Sequence, residues 1–170
     1  QLEKYGGYVI AYNGTTVVNC KTGECIYNQM VPGEILSQVY NEAVKSGVAI
    51  AVYNDAAKEI IVGNGLNKYV ELDAIACDVA VRESNDFVKT VNFGFNKILL
   101  SGEPDNMKNI EKHMLEMFGD KVNVFRSDPH FVELLPKYVD KGVAVEKLMR
   151  YLGINREKVI CVGDSINDMS

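Results

Sequence analysis

The sequence lacks the features that mark several classes of protein. The net charge is -5 at pH 7 and no run of lysine and arginine is present, so the basic patch typical of nucleic-acid-binding proteins is missing. No apolar stretch approaches the ~20 residues that a membrane-spanning helix needs. The opening Q-L-E-K-Y-G-G-Y shows no signal-peptide pattern. We therefore predict neither a nucleic-acid partner nor a membrane partner.

Cysteine and histidine are scarce, with 4 cysteines and 2 histidines in the chain. The segment C-K-T-G-E-C, residues 20–25, could close a disulfide loop or supply half of a zinc site. A second ligand pair at zinc-site spacing is missing, and His113 and His130 lie far away in the sequence. We expect reduced thiols in a cytoplasmic protein.

The composition is that of a globular protein with a real core. Hydrophobic residues make up 47% of the 170 residues and charged residues 24%. This balance disfavours disorder. The length allows one or two domains.

The middle of the chain is predicted to be an α+β domain. Helical spacing of apolar residues predicts helices after Pro32, after Pro104 and after Gly142. Apolar runs bounded by turn residues predict strands over residues 9–12, 16–20, 25–30, 48–53, 59–62, 97–100, 122–126 and 131–135. The segment 67–91 has only weak periodicity and is left unassigned. Hairpins with helices beside them are the α+β pattern.

The two ends of the chain predict a different architecture. Residues 159–162, V-I-C-V, are apolar at every position and follow a helix directly, which is typical of a parallel strand buried on both faces. We therefore expect fragments of a doubly wound α/β domain at residues 1–14 and 131–170, around an α+β domain at residues 15–130.

The end of that last strand carries the first candidate site, G-D-S-I-N-D at residues 163–168. Ligands bind at the carboxyl ends of strands in open α/β sheets. Asp164 and Asp168 are hard oxygen ligands of the kind that Mg²⁺ takes, and a helix starting near Ser165 would keep Asp164 ionised. The alternative is an N-cap aspartate in a solvated loop.

Two further segments could contribute. Lys141 precedes a helix-opening glycine and would offer a compact positive charge to a phosphate group, or it is a surface lysine. Asn13 and Gly14 end the first strand, where an asparagine amide could donate to a substrate oxygen, or they form a simple turn.

Taken together and in this order, these segments resemble the haloacid dehalogenase-like phosphatases, in particular the Cof-type subfamily with the class IIB cap. Residues 8–17, Y-V-I-A-Y-N-G-T-T-V, resemble the stretch that leads into the cap. Residues 139–154 resemble the third motif and residues 159–170 the fourth. The resemblance covers essentially the whole chain. It implies an α/β protein in which an α+β cap, an antiparallel sheet with helices on one face, is inserted into a Rossmann-like doubly wound parallel core.

The resemblance also implies a chemistry, phosphoryl transfer through an aspartyl-phosphate with Mg²⁺ as cofactor, acting on a small phosphorylated metabolite such as a sugar phosphate. The catalytic residues it indicates are Lys141, Asp164 and Asp168. Asp164 would be the metal ligand. Lys141 would stabilise the phosphoryl oxygens, and Asp168 would orient Lys141 or a metal-bound water.

Substrate contacts are implied as well. Asn13, Gly14 and Asn167, together with Lys141, would lie next to the phosphate or the substrate. The cap would exclude water and read the leaving group. Arg126 and His130 are cap-side candidates for that contact, or they are a solvated pair at the rim.

One departure from the family pattern is large, because the first motif, D-x-D-G-T, and the second motif, a serine or threonine after a strand, are both missing. The nucleophilic aspartate is therefore expected outside these residues, and this segment alone is expected to be inactive. Two alternatives stay open. One is a non-catalytic binding module built on the cap domain, and the other is a phosphomutase of the same fold. The sequence leaves the oligomeric state open.

Overall fold

The computed structural model of the chain describes residues 4–56, 58–163 and 168. The strands and helices of this part are numbered in chain order. The strands are β1 Tyr8–Ala11, β2 Thr16–Asn19, β3 Cys25–Asn28, β4 Ala49–Asn54, β5 Glu59–Gly63, β6 Ala80–Glu83, β7 Ile98–Ser101, β8 Val122–Asp128 and β9 Phe131–Pro136. The helices are α1 Leu36–Ser46, α2 Lys68–Cys77, α3 Phe87–Thr90, α4 Pro104–Phe118 and α5 Lys141–Leu152.

The chain forms two compact units. The first unit comprises residues 1–29 and 138–170, and the second unit comprises residues 30–137. These bounds differ from the expected 15–130 for the inserted domain. The hairpin of β2 and β3 belongs to the first unit because β2 pairs with β1. Strand β9 belongs to the second unit because it pairs with both β7 and β8.

The second unit is built on a six-stranded sheet in the order β6-β5-β4-β7-β9-β8. All neighbours are antiparallel except β5 and β6, which are parallel. The sheet is therefore mixed, whereas the sequence predicted an antiparallel one. The parallel pair arises because helix α2 connects β5 to β6, and a parallel pair needs such a crossover.

The larger core lies between one face of this sheet and helices α1, α3 and α4. Alternate strand residues such as Ile50, Val52, Ile98 and Leu100 point into it and are fully buried, as the two-residue period of a strand requires. Fully burying one such side chain contributes about 1.5–3 kcal/mol.

The other face of the sheet is covered in part by α2, so helices lie on both faces and not on one as expected. Asn67 caps this helix, its side chain accepting hydrogen bonds from the backbone N–H groups of Tyr69 and Val70. Within α2 the buried residues are Val70 and Ala74.

The described part of the first unit contains a three-stranded antiparallel sheet, β1-β2-β3, together with α5. Lys147 of α5 places its ammonium 3.6 Å from the centre of the Tyr27 ring on β3. This cation–π contact ties the helix to the hairpin. Gly153 ends α5 in the left-handed conformation, which glycine adopts without steric cost.

The prediction of a buried parallel strand at residues 159–162 is wrong for this chain. In the described part of the first unit, residues 159–163 pair with no other strand, and Ile160 and Val162 are 90% and 94% exposed. An apolar strand is buried only when neighbouring strands flank it, and the three-stranded sheet of this unit consists of β1, β2 and β3 in the described residues.

Two further expectations concern the membrane and the cysteines. Among the helices of the described ranges, none is long and apolar enough to cross a bilayer. All four cysteines lie in the described part of the chain and are free thiols.

Candidate functional site

Lys141 and Asp168 meet in the first unit. The Lys141 Nζ lies 2.5 Å from Asp168 Oδ1, and the side chains are 35% and 21% exposed. A lysine that is partly exposed and held by one carboxylate keeps further N–H donors for a ligand, because an ammonium group has three. This pair is the centre of the candidate site.

The position of Lys141 is set by the start of α5. Asp140 is the N-cap residue, and its Oδ1 accepts a hydrogen bond of 2.7 Å from the Val143 N–H. The Asp140 carbonyl accepts the first bond of the helix, 3.1 Å from the Ala144 N–H. Lys141 is thus the first residue of a capped helix, and its backbone is fixed.

The turn after β1 packs against the same helix start. Asn13 adopts the left-handed conformation with φ 53° and ψ 30°, which asparagine tolerates better than most residues. At Gly14, φ is +102°, and an added Cβ would lie 2.2 Å from the Asp140 carbonyl oxygen and 3.1 Å from the Lys141 nitrogen. Only glycine allows the two backbones to approach so closely.

A second close approach joins Gly163 to Asp168. A Cβ on Gly163 would lie 2.3 Å from the Asp168 Cβ and 3.1 Å from its Oδ2. The backbone at Gly163 therefore packs directly against the aspartate that holds Lys141.

The first unit contains an open cleft of about 830 Å³ that Asp140, Lys141 and Asp168 help to line. Its polar wall includes Asn13, Lys141 and Asp168. The cleft is otherwise lined largely by apolar side chains, namely Ile10, Val143, Val145, Met149, Val159 and Val162. Three of the residues that the sequence singled out thus share one cavity.

Asp164 and Asn167 lie outside the described residues, so their predicted roles stay predictions. Carboxylate oxygens are the ligands that Mg²⁺ prefers, and the carboxylates of Asp140, Glu146 and Asp168 line the cleft. Asp140 caps α5 and Asp168 binds Lys141. Within the described ranges, no three potential ligands cluster closely enough to hold a metal ion.

Arg126 and His130 belong to the second unit and do not form a pair. The Arg126 Nε lies 3.8 Å from Glu111 Oε2 on α4. The His130 ring stacks on Tyr69 of α2 with ring centroids 3.8 Å apart.

The N-cap role of Asp140 was not predicted from the sequence. The available signal was an aspartate directly before a run with helical periodicity, which is a common N-cap pattern. The substrate contact expected for Gly14 stays a prediction, and the structure adds a backbone packing role against Asp140 that no sequence pattern reveals.

Comparison with known proteins places this fold in a family. The sequence profile of the haloacid dehalogenase-like hydrolases matches residues 1–170. A Streptococcus pyogenes protein named as a phosphatase is 26% identical over 180 residues, which cover 99% of this chain and 62% of that protein. A Bacillus subtilis protein with the same kind of name is 25% identical, again over 62% of its length. The chain thus spans 62% of these two relatives.

Two solved structures show the same relationship to this family. A haloacid dehalogenase-like hydrolase from Bacteroides thetaiotaomicron is 33% identical with a TM-score of 0.91, over 99% of this chain and 62% of that one. A sugar phosphatase of subclass IIB is 18% identical with a TM-score of 0.69, over 89% of this chain and 55% of that one, and shares the fold. The chain belongs to the haloacid dehalogenase-like hydrolase family.

Proposed function

We propose that the whole protein is a Mg²⁺-dependent phosphatase of small phosphorylated metabolites, and that the first unit supplies the cationic part of its site. The observation that carries this proposal is the Lys141–Asp168 pair of 2.5 Å at the capped start of α5, in one cleft with Asn13. Preorganised charge at the position where phosphoryl charge develops is the main requirement of phosphoryl transfer.

Lys141 would hold the phosphoryl oxygens. Its ammonium is a compact point charge of the kind that binds phosphate. Asp168 would keep this ammonium in place through the ion pair, so that little reorganisation is needed when the substrate binds. The helix start adds N–H groups and the positive end of the helix dipole.

Asn13 would donate its side-chain amide to a phosphate or substrate oxygen from the turn after β1. Gly14 would act through its backbone, because the close approach to Asp140 brings this turn against α5. Asn167 would add a second amide. These assignments follow the family resemblance together with the shared cleft.

The nucleophilic aspartate is assigned to a segment of the whole protein outside these 170 residues. Asp164 would ligate Mg²⁺, which when bound supplies positive charge that lowers the repulsion between nucleophile and phosphoryl group.

The names of two relatives support the proposed substrate class. An HMP-PP phosphatase of Serratia proteamaculans is 28% identical over 76 residues, 45% of this chain and 28% of that protein. The subclass IIB structure described above is a sugar phosphatase. Both names are those of phosphatases, and we propose small phosphorylated metabolites as the substrate class of the present protein.

The test is phosphate release by the whole protein from p-nitrophenyl phosphate and a panel of sugar phosphates, with Mg²⁺ and with EDTA. We expect turnover that requires Mg²⁺ and that Asp164→Ala abolishes. The 170-residue chain should be inactive in the same assay. Full activity of Asp164→Ala would remove Asp164 as the ligand, and turnover by the 170-residue chain would remove the external nucleophile.

A further inference from the structure

Helix α2 of the second unit carries apolar side chains on two opposite faces. Val70 and Ala74 are buried in the smaller core of this unit. Leu72 and Ile75 lie on the other side of the helix and are 63% and 75% exposed, which makes them the most exposed of the large apolar side chains described in the second unit. A helix that is apolar all round is normally covered on every side. The outer face of α2 therefore has the composition of a face that a partner covers.

The outer face consists of four side chains about one helical turn apart, which we call the α2 stripe: Lys68, Leu72, Ile75 and Asp78. Their spacings of four, three and three residues place them on one side of the helix. All four are exposed. Along the chain the stripe reads cation, apolar, apolar, anion. It is thus apolar in the middle and carries opposite charges at its two ends.

The two charges lie at the unfavourable ends of the helix. Lys68 is the first residue of α2 and Asp78 is its C-cap, whereas the helix dipole favours anions at the N-terminus and cations at the C-terminus. None of the ion pairs seen between the described residues includes Lys68 or Asp78. The Lys68 Nζ lies 4.8 Å from the centre of the Tyr69 ring, and this exposed contact leaves N–H donors available. Both charges would therefore gain from an opposite charge on a partner.

A second copy of the same helix supplies both opposite charges. If two stripes run antiparallel about a two-fold axis, Leu72 of each copy meets Ile75 of the other, and Lys68 of each copy meets Asp78 of the other. Such a contact is self-complementary, as a two-fold interface requires, and it removes apolar side chains from water. A parallel arrangement would place like charges together. We propose that the α2 stripe is a homodimer contact in which the α2 helices of two copies pack antiparallel.

The expected dimer is weak. Helix α2 has 10 residues and is about 15 Å long, so one helix pair buries less than the ~1,200–2,000 Å² of a stable complex. The association therefore depends on protein concentration, with a Kd in the micromolar range. The two-fold symmetry is closed, so pairing stops at two copies. The inference is independent of the proposed function, because the stripe lies wholly in the second unit.

The first test is sedimentation velocity of the whole protein between about 5 µM and about 500 µM. We expect a monomer that becomes a dimer as the concentration rises. The double variant Leu72→Gln/Ile75→Gln should raise the Kd about ten-fold or more. Both side chains are exposed and glutamine is a good helix former, so we expect the fold to be retained.

The matched control for this test is Leu115→Gln/Met117→Gln on α4. These two side chains are 51% and 50% exposed. They stand two residues apart in the sequence, so they project from α4 in different directions and form no stripe. The control should leave the Kd unchanged.

The second test is charge reversal, which reports on the antiparallel pairing itself. Lys68→Glu and Asp78→Lys should each weaken the dimer, because each variant brings like charges together. The double variant Lys68→Glu/Asp78→Lys should restore it, since the same two pairs return with their signs exchanged. Asp78 has φ 54°, and Lys58 adopts φ 52° in the same chain, so a lysine can take this conformation. Circular dichroism establishes that each variant is folded.

Several results would overturn the proposal. A dimer whose Kd is unchanged in Leu72→Gln/Ile75→Gln, or one that the double charge reversal fails to restore, is held by another surface or in another orientation. A protein that stays monomeric at every concentration has no such dimer. A lower melting temperature of Leu72→Gln/Ile75→Gln in that monomer would show that another segment of the same protein covers the stripe.

Discussion

The carbonyl oxygen of Asp140 lies 2.2 Å from the point where a side chain on Gly14 would place its Cβ. The same oxygen accepts the first hydrogen bond of α5, from Ala144. The turn after β1 and the start of α5 therefore depend on each other, although more than 120 residues separate them in the sequence. Lys141 stands immediately after this contact.

Gly14→Ala should destabilise the chain and misplace Lys141. The new methyl group needs the left-handed conformation, which costs a non-glycine residue about 1–2 kcal/mol, and it also collides with the backbone of Asp140. Thermal unfolding of the 170-residue chain measures the loss of stability. Gly23→Ala is the matched control, because Gly23 has φ +71° but nothing within 4 Å of its added Cβ. Equal losses in the two variants would contradict the packing role.

Asp140→Ala should remove the N-cap of α5. The loss of a capping side chain costs about 0.5–2 kcal/mol, and Asp140→Ser should restore most of it because serine also accepts the bond from Val143. Urea unfolding gives the free energies, and kcat of the whole protein should fall in Asp140→Ala because Lys141 loses its fixed start. If alanine and serine at this position behave alike in both measurements, the cap is not what positions Lys141.

Much of the secondary structure is predictable from local chemistry. Gly47 and Gly153 follow apolar stripes at helical spacing and end α1 and α5 in the left-handed conformation, as expected. Helix α2 escaped prediction because Leu72 and Ile75 are 63% and 75% exposed, so its apolar residues form no single stripe.

The wrong predictions for residues 159–162 and for the domain placement of β9 have one physical cause. Pairing between strands is not a local property of the sequence. Residues 159–162 have the composition of a buried strand, but burial depends on neighbours that the sequence pattern does not name. Strand β9 is equally hard to place, since only its ladder with β7 and β8 assigns it to the second unit. The candidate site also depends on contacts between segments that are distant in the sequence. Its motifs can be read separately, but the contact of Gly14 with Asp140 follows only from the fold.

Breaking the Lys141–Asp168 pair should reduce catalysis by the whole protein more than its stability. Lys141→Met removes the charge that stabilises the phosphoryl group, and loss of one such preorganised donor typically costs about 10²–10³-fold in kcat. Asp168→Asn should lower kcat less, because the ammonium remains but is held less firmly. Lys158→Met, at an exposed lysine of the same unit, is the control. Wild-type kcat in Lys141→Met would remove this lysine from the site.

Stability should fall at high pH through Tyr53. Because burial and Asp73 raise the pKa of Tyr53 in the folded chain, the folded state holds this proton more tightly than the unfolded state does. The contribution is fully present below the unfolded tyrosine pKa of about 10 and is lost as the pH rises above it. The difference in unfolding free energy between wild type and Tyr53→Phe should therefore shrink above pH ~10 by up to about 1.4 kcal/mol per pH unit. A difference that stays constant up to pH 11 would contradict this.

Thr15→Val should stabilise the first unit. Thr15 is fully buried, and its Oγ1 has no hydrogen-bond partner in the structure. A buried hydroxyl without a partner costs about 1–3 kcal/mol, and valine has nearly the same shape without the polar atom. We expect a gain of about 1 kcal/mol in the urea unfolding of the 170-residue chain.

Thr15→Ser is the counterpart of this change, since it keeps the hydroxyl and removes the methyl group. It should cost roughly 0.8 kcal/mol for the lost buried carbon, so the two variants are expected to shift stability in opposite directions. The melting temperatures should follow the same order, with Thr15→Val above the wild type and Thr15→Ser below it. If valine destabilises the chain and serine does not, the hydroxyl is hydrogen-bonded in solution and the gain predicted for valine is wrong.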